Sequence, residues 1–388
     1  MTQLHFTINQ EEIQNLINES VDNKIAKAIL TKTFNTLMEK ERDEYLENEA
    51  YQRDPKRSTY RNGYYQRDYT TKIGTLTLRV PRTRDGKFST ELFERYQRNE
   101  KALILTMLEM YIQGVSTRKV SKVIENLCGK TFSKSFVSSL TKELDKEVEE
   151  WRNSDLSKVK YHYLLADVIY IKVRENSKVL SKACHIAIGI NEQGQREIIG
   201  LMISENESLN TWNNFFEYLK DRGLSGLKMV ISDAHKGLVS AIKETFLNVS
   251  WQRCQAHLIR NILSKTPKKN TKEFRSDLKA LFKITDINLA RKMKEELFAK
   301  YEEDKIYQKS LEILDEGFED AFAYLNEEEA YSRLRTTNCL ERLNGEIRRR
   351  EKVIRIFPNE ASAIRLIGAI LMDINEEWTT SSKTYIRL

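Results

Sequence analysis

The sequence predicts an α/β catalytic core that is preceded and interrupted by helical regions, and three observations carry that prediction. Between residues 161 and 254, short apolar runs alternate with amphipathic stretches of helical period. Residues 10–50 and 100–150 before that region, and 255–330 after it, show helical spacing throughout. The chain is 388 residues long, enough for two or three domains, and its 4 Pro and 14 Gly leave little room for long linkers.

Taken in order, Ile13, Leu16, Ile17, Ile25, Ile29 and Leu37 fall at helical spacing. Over 60–82 the period changes. Ile73, Leu76, Leu78 and Val80 alternate with Thr and Arg, which predicts a small basic hairpin with Arg79, Arg82 and Arg84 at its exit. Those arginines fit a solvated edge strand or a phosphate contact equally well. Further on, Ser116 can cap a helix carrying Val120, Val123, Ile124 and Leu127, and a Cys128-Gly129-Lys130 turn follows. Ser133 can then cap a second helix with Phe136, Val137, Leu140 and Leu144 inward. This is a helix-turn-helix pattern over 116–148, with an ordinary helical hairpin as the alternative. It turns Lys134, Ser135, Ser138, Ser139 and Lys142 outward near the start of the second helix, where base edges and phosphates are met.

Strands are expected at 163–173, 183–190, 197–204, 228–232 and 250–254, and helices at 209–221 and 235–247. Three strands, then helix, strand, helix and strand, is the order of a ribonuclease-H-like core. Two more helices are expected at 337–351 and 360–376. The expected organisation is a helical N-terminal region (1–58), a basic β-hairpin region (59–96) and a helix-turn-helix-like DNA-binding domain (97–155). The first part of the ribonuclease-H-like core (156–262), an all-helical insertion (263–332) and the last part of the core (333–388) complete it.

Composition narrows the function classes. Lys and Arg exceed Asp and Glu, 64 to 57, and the net charge of +7 favours a polyanionic partner. Cys128, Cys184, Cys254 and Cys339 are scattered, which is not a disulfide framework and suits a reducing cytoplasm. The N-terminal stretch MTQLHFTINQEEIQNL has no hydrophobic signal core, and no apolar run of about 18 residues predicts a membrane span. The expected location is the cytoplasm.

Three acids carry the chemistry. Asp167 interrupts the strand-like run YLLADVIYIKV, where an unpaired carboxylate on a core face needs a partner, a metal or a wet cleft. Asp233 ends the run LKMVISD, at the C-terminal edge where open α/β sheets build sites; it could instead cap the helix that follows. Glu341 opens a basic helix in TTNCLERLNGEIRRR, and Asn338 with Glu341 also fits a capping box. Together the three can hold Mg²⁺ or Mn²⁺, ions that take a few carboxylates and keep waters and phosphate oxygens. Two such ions about 4 Å apart serve an attacking and a leaving oxygen.

In WQRCQAHLIRN, Cys254 and His257 have the spacing of half a zinc site. Cys184, His185 and Cys339 are the spare soft ligands, so a zinc site, a core role and a place beside the active site all stay open. Trp251 reads as core, and Arg260, Lys265, Lys268 and Lys269 read as a solvated basic run.

On these residues the chain resembles the bacterial Mutator-type insertion-sequence transposases, a branch of the DDE transposases. The resemblance rests on Asp167 in LADVIYIKVRE, on Asp233-Ala234-His235-Lys236-Gly237 followed by Cys254-x-x-His257, and on Thr336-Thr337-Asn338 leading to Glu341, Asn344 and Ile347-Arg348-Arg349-Arg350. It implies a ribonuclease-H-like domain with Asp167, Asp233 and Glu341 as catalytic metal ligands, and an all-helical insertion within the 108 positions between the last two acids. It also implies metal-dependent DNA cleavage and strand transfer without a covalent enzyme intermediate. The partners implied are double-stranded DNA, both terminal inverted repeats and target, and a second copy of the chain on that DNA. Cys254, His257, Asn338, Asn344 and Arg348 would then stand near the active site. Lys134, Ser135, Ser138, Lys142, Arg79, Arg82, Arg349 and Arg350 would contact DNA. The competing readings are a structure-directed nuclease sharing the acids, such as a junction resolvase, and a domesticated DNA-binding regulator with dead chemistry.

Overall fold

The computed structural model describes residues 24–47, 59–71, 74–90, 93, 101–128, 132–266, 272–326, 332–381 and 384–386. Contacts divide the chain into two units, Met1–Lys142 and Glu143–Leu388.

In the first unit, α1 (Lys24–Leu46) packs on an antiparallel hairpin of β1 (Arg61–Thr71) and β2 (Gly74–Thr83). Leu76, Leu78 and Val80 alternate inward as expected and meet Met38 and Phe93, with Leu30, Phe34 and Tyr69 at the margin. The stripe of α1 is therefore Leu30, Phe34 and Met38, four residues apart, and Ile29 is exposed. Ile13, Leu16, Ile17 and Ile73 lie outside the described residues.

A second cluster gathers α2 (Lys101–Ile112), α3 (Thr117–Cys128) and α4 (Lys134–Thr141) around Met107, Val120, Ile124, Val137 and Leu140. Val123 is exposed rather than part of that stripe. Ser133 caps α4 by accepting from the Phe136 N–H at 3.0 Å, and the Gly129–Lys130 turn lies outside the described residues.

The second helix expected to run past Leu144 stops at Thr141. The Ser139 and Thr141 hydroxyls bond back to the Phe136 and Ser138 carbonyls at 2.8 and 2.9 Å. The Lys142 N–H closes a tighter turn onto the Ser139 carbonyl at 3.1 Å. Such side-chain competition ends helices. Leu144 opens α5 (Leu144–Arg152) in the second unit.

That unit is built on a five-stranded mixed sheet of order β5-β4-β3-β6-β7. β3 (Tyr161–Glu175), β4 (Lys178–Asn191) and β5 (Arg196–Ser204) form an antiparallel meander, and β6 (Met229–Ser232) and β7 (Ser250–Arg253) join parallel to β3. The β3–β4 turn holds Asn176 and Ser177 at φ +47° and +64°, the positive-φ pair of a tight hairpin. Helices α6 (Leu209–Asp221) and α7 (Lys236–Thr245) connect β5 to β6 and β6 to β7. Their Trp212, Phe215, Phe216, Leu219, Leu238 and Ile242 close a core with Leu164, Ala166, Ala187 and Val230 of the sheet.

After α8 (Gln255–Lys265) come α9 (Lys272–Leu281), α10 (Ile287–Tyr301) and α11 (Gln308–Ala321). This helical segment is anchored to the sheet by buried glutamines. Gln252 and Gln255 both donate to the Ala321 carbonyl at 2.7 and 2.8 Å, and Gln252 accepts from the Tyr324 N–H at 2.8 Å. The chain then returns as α12 (Asn338–Ile354), against β3, and α13 (Glu360–Thr380), against β5 and α5. The paired bonds from Arg365 to Asp145, 2.6 and 2.8 Å, join α13 to α5.

Candidate active site

Parallel pairing of β3 with β6 sets Leu165 opposite Ile231, so Asp167 and Asp233 each follow two residues beyond a matched pair. Leu165, Ile169 and Ile171 are buried and Asp167 is half-buried. Its Oδ1 accepts from the Val168 N–H at 2.9 Å and its Oδ2 from Asn344 Nδ2 at 2.8 Å. Burial, followed by the charge of Asp233, pushes the Asp167 carboxyl up to about 6 against the pull of the Val168 and Asn344 bonds and of His257. A carboxylate raised this way by desolvation and a like charge is a site that favours an added cation.

Asp233 is not the cap of α7. That position falls to His235, and Asp233 Oδ1 accepts the His235 N–H at 3.1 Å. The His235 ring stands with Nδ1 3.3 Å from Glu207 Oε1. Glu207 also accepts from Trp212 Nε1 at 3.2 Å and from the Tyr170 hydroxyl at 3.3 Å.

Glu341 does not form the alternative, a capping box with Asn338, either. The α12 cap is Thr337, without a side-chain bond, and the Glu341 carboxylate turns away to cations. Its Oε1 accepts from Arg260 Nη2 at 2.7 Å and lies 3.5 Å from His257 Nε2. Arg260, expected on a solvated face, is thus the nearest cation to the third acid.

Cys254 and His257 join these pieces. Cys254 is fully buried at the N-terminus of α8, and its sulfur accepts from the backbone N–H and the hydroxyl of Thr337, both at 3.3 Å. It thereby ties α8 to the start of the Glu341 helix. Burial raises the Cys254 thiol, but His257 and Thr337 together bring it below its ordinary value. Contact with Cys254 raises His257, with Asp167 and Asp233 adding to it against burial. Cys184 and His185 lie instead in the sheet core, where the His185 ring stands edge-on to Trp212 at 4.5 Å. Cys339 is buried as well.

Other expected site residues divide. Asn344 reaches Asp167, while Asn338 and Arg348 are exposed on α12. Arg349 is exposed and pairs with Glu346 at 3.0 Å. Arg350 is buried and bonded to Glu346 at 2.6 Å, so it is no surface cation for DNA. In the first unit, Lys134, Ser135, Ser138 and Lys142 are exposed on and just after α4. Arg79 and Arg82 are exposed on β2 and stack over Tyr64 and Tyr65 at 4.6 and 4.5 Å.

Glu207 escapes the sequence reading because it sits in no motif, and Arg260 reads there as a solvated cation; only the approach of the segment before α6 and of α8 to the acid-bearing segments gives them their partners. Among the described residues, no three His, Cys, Asp or Glu side chains are gathered as a ready-made metal cluster. The carboxylate oxygens are nonetheless the right donors for a hard divalent ion.

The chain matches the family model described as Transposase, Mutator family, over residues 1–381. It is 60% identical over 386 residues to the transposase for insertion sequence element IS256 in transposon Tn4001 of Staphylococcus aureus, covering 100% of this chain and 99% of that protein. It is 39% identical to the transposase for ISRM5 of Rhizobium meliloti, over 93% and 90% of the two chains. It is 36% identical to the transposase for IS1081 of Mycobacterium tuberculosis, over 91% and 85%. A chain of the Drosophila P element transposase strand transfer complex aligns at a TM-score of 0.31 and 14% identity over 76% and 84%, a likeness too slight to bear on the fold.

Proposed function

The chain belongs to the Mutator family of transposases and is an insertion-sequence transposase, and from that premise we propose that Asp167, Asp233 and Glu341 are its DDE catalytic acids. The observation that carries this reading is the convergence of Asp167, midway along β3, with Asp233, just past the end of the paired parallel strand β6, close enough for one charge to raise the other carboxyl. A ribonuclease-H-like core is the reading that best fits the strand order, with 263–332 as its helical insertion.

The three acids would hold two Mg²⁺ or Mn²⁺ ions, whose positive charge would activate an attacking oxygen and stabilise a leaving one. The chain's own groups do the rest. Asn344 and the Val168 N–H fix the direction of the Asp167 carboxylate. Arg260 and His257 hold Glu341 in a neutralised pair until the site fills. Water and then a DNA 3′-hydroxyl are the nucleophiles, so no side chain need become covalently attached to DNA. Exposed Arg348 and Arg349 on α12 lie on the acid-bearing helix, suited to the DNA backbone. Lys134, Ser135, Ser138, Lys142, Arg79 and Arg82 would bind the terminal repeats, with two copies of the chain acting on the paired ends.

The test is incubation of the full chain with labelled element-end DNA and Mg²⁺, mapping nicks on each strand. Asp167→Asn, Asp233→Asn and Glu341→Gln should each abolish nicking while leaving end binding largely intact. Near-wild-type nicking in any one removes that residue from the site.

A further inference from the structure

Glu207 is a fourth acid beside this site, and none of the three proposed catalytic positions accounts for it. It lies immediately before Ser208, the cap of α6, whose capping box with Thr211 fixes the local backbone. Its side chain is only 10% exposed. An acid that dry persists only with partners, and here they come from three elements. Oε1 accepts from Trp212, which is fully buried on α6. Oε2 accepts from Tyr170, three residues beyond Asp167 on β3. Oε1 also faces His235, two residues beyond Asp233, at 3.3 Å.

The His235 Nδ1 is a buried nitrogen without an aligned hydrogen bond, and the Glu207 carboxylate at 3.3 Å is the charge that faces it. The His235 backbone N–H is meanwhile held by Asp233 itself. Backbone packing points the same way. A methyl group at Gly237 would come within 2.7 Å of the Leu209 nitrogen and 2.9 Å of the Ser208 carbonyl carbon. The absence of a side chain there lets the start of α7 lie directly on the Glu207 segment.

We infer that Glu207 is a positioning residue for the transposition site: through Tyr170 and His235 it holds the Asp233 turn in register with the Asp167 strand. The inference rests on the reading of Asp167 and Asp233 as metal ligands. A group bonded directly to a metal ligand commonly supports metal binding about 10- to 100-fold; His235 is bonded so to Asp233 through its N–H, and Glu207 acts on the site through His235.

The test uses the full chain on its own element-end DNA, with Mn²⁺ binding followed by the electron-spin resonance of the free ion. Glu207→Gln and His235→Gln should each weaken Mn²⁺ binding about 10- to 100-fold, with end binding and melting temperature unchanged. Because both act through one contact, the double variant should bind no more weakly than the weaker single one. Wild-type Mn²⁺ affinity in both singles, or losses that simply multiply in the double, overturns the inference. If Glu207→Gln does not fold, His235→Gln with Tyr170→Phe, both at solvent-accessible positions, decides it: unchanged affinity in that pair overturns the inference as well. Asp233→Asn separates the two claims. If it binds Mn²⁺ normally, the reading of the acids falls; if it alone loses Mn²⁺, only the role of Glu207 falls.

Discussion

Two Cys–His pairs lie in the second unit, and they behave in opposite ways. Cys184 and His185 are adjacent on β4 in the middle of the sheet. Burial pushes the Cys184 thiol up to about 12 and the His185 ring down to about 4, so both stay neutral. Cys254 and His257 are also largely shielded, yet the thiol is brought below and the imidazole above its ordinary value. The difference lies in the neighbours. His185 has Trp212, Phe215 and a serine hydroxyl around it, whereas His257 faces Cys254, Asp167, Asp233 and Glu341. Burial alone neutralises a titratable side chain, while burial beside opposite charge keeps it ionised. Residue type and burial therefore do not separate a core pair from a site pair, but the charge set around each does.

The strongest way to break this comparison is to remove the charges that make the second pair different. Each amide substitution at Asp167, Asp233 or Glu341 should cost several kcal/mol of transition-state stabilisation, at least about a thousandfold in cleavage rate. Folded, DNA-binding variants that still cleave would dissolve the distinction.

The core pair should show itself in stability instead. His185 titrates near 4 in the fold and near 6.5 unfolded. The unfolded chain thus binds the extra proton between those values. The stabilisation is fully present above pH 6.5 and is lost as pH falls toward 4, by about 3 kcal/mol at most. Denaturant titrations should find this component missing in His185→Gln relative to the parent. Parallel pH curves for the two proteins would show that the ring is not held neutral.

The site pair should behave the other way. His257→Ala should lower cleavage by about 10- to 100-fold with the melting temperature little changed, as expected of a neighbour to a metal ligand. A variant that simply melts would make His257 a core residue like His185. Cys254→Ala, which strands the Thr337 N–H and hydroxyl, should cost about 1–3 kcal/mol in chemical denaturation. Cys254→Ser should recover part of it, and equal stabilities of the two would deny the tether to α12.

The smallest effect is expected outside the second unit. Lys134→Ala and Lys142→Ala should each reduce the slope of log affinity for end DNA against log salt by about 0.9 if the side chain meets a phosphate. An unchanged slope in both would remove α4 from the DNA interface.

How far the sequence can be read depends on how local the deciding physics is. The helix at 209–221 is legible to the residue, because an apolar stripe and a serine cap are both written within one element. The five strands are legible to within a few residues for the same reason of period. The second helix of the 116–148 pair is shorter than its apolar pattern, since hydroxyls bonding back to their own carbonyls end it where the pattern continues. Capping roles for Asp233 and Glu341 are equally plausible in sequence, and only the folded chain sends one carboxylate to His235 and the other to Arg260.

By itself, then, the sequence determined most elements, the mixed α/β class and the family to which the chain belongs, since periodicity, capping residues and motif spacing act over a few neighbouring positions. The tertiary structure alone decided that Arg350 is buried, that Cys254 grips Thr337 across 83 positions, and that Glu207 joins the strand of Asp167 to the turn of Asp233. Those pairings depend on how helices cross the sheet, which is settled by burying the shared apolar faces and not by any one segment's pattern.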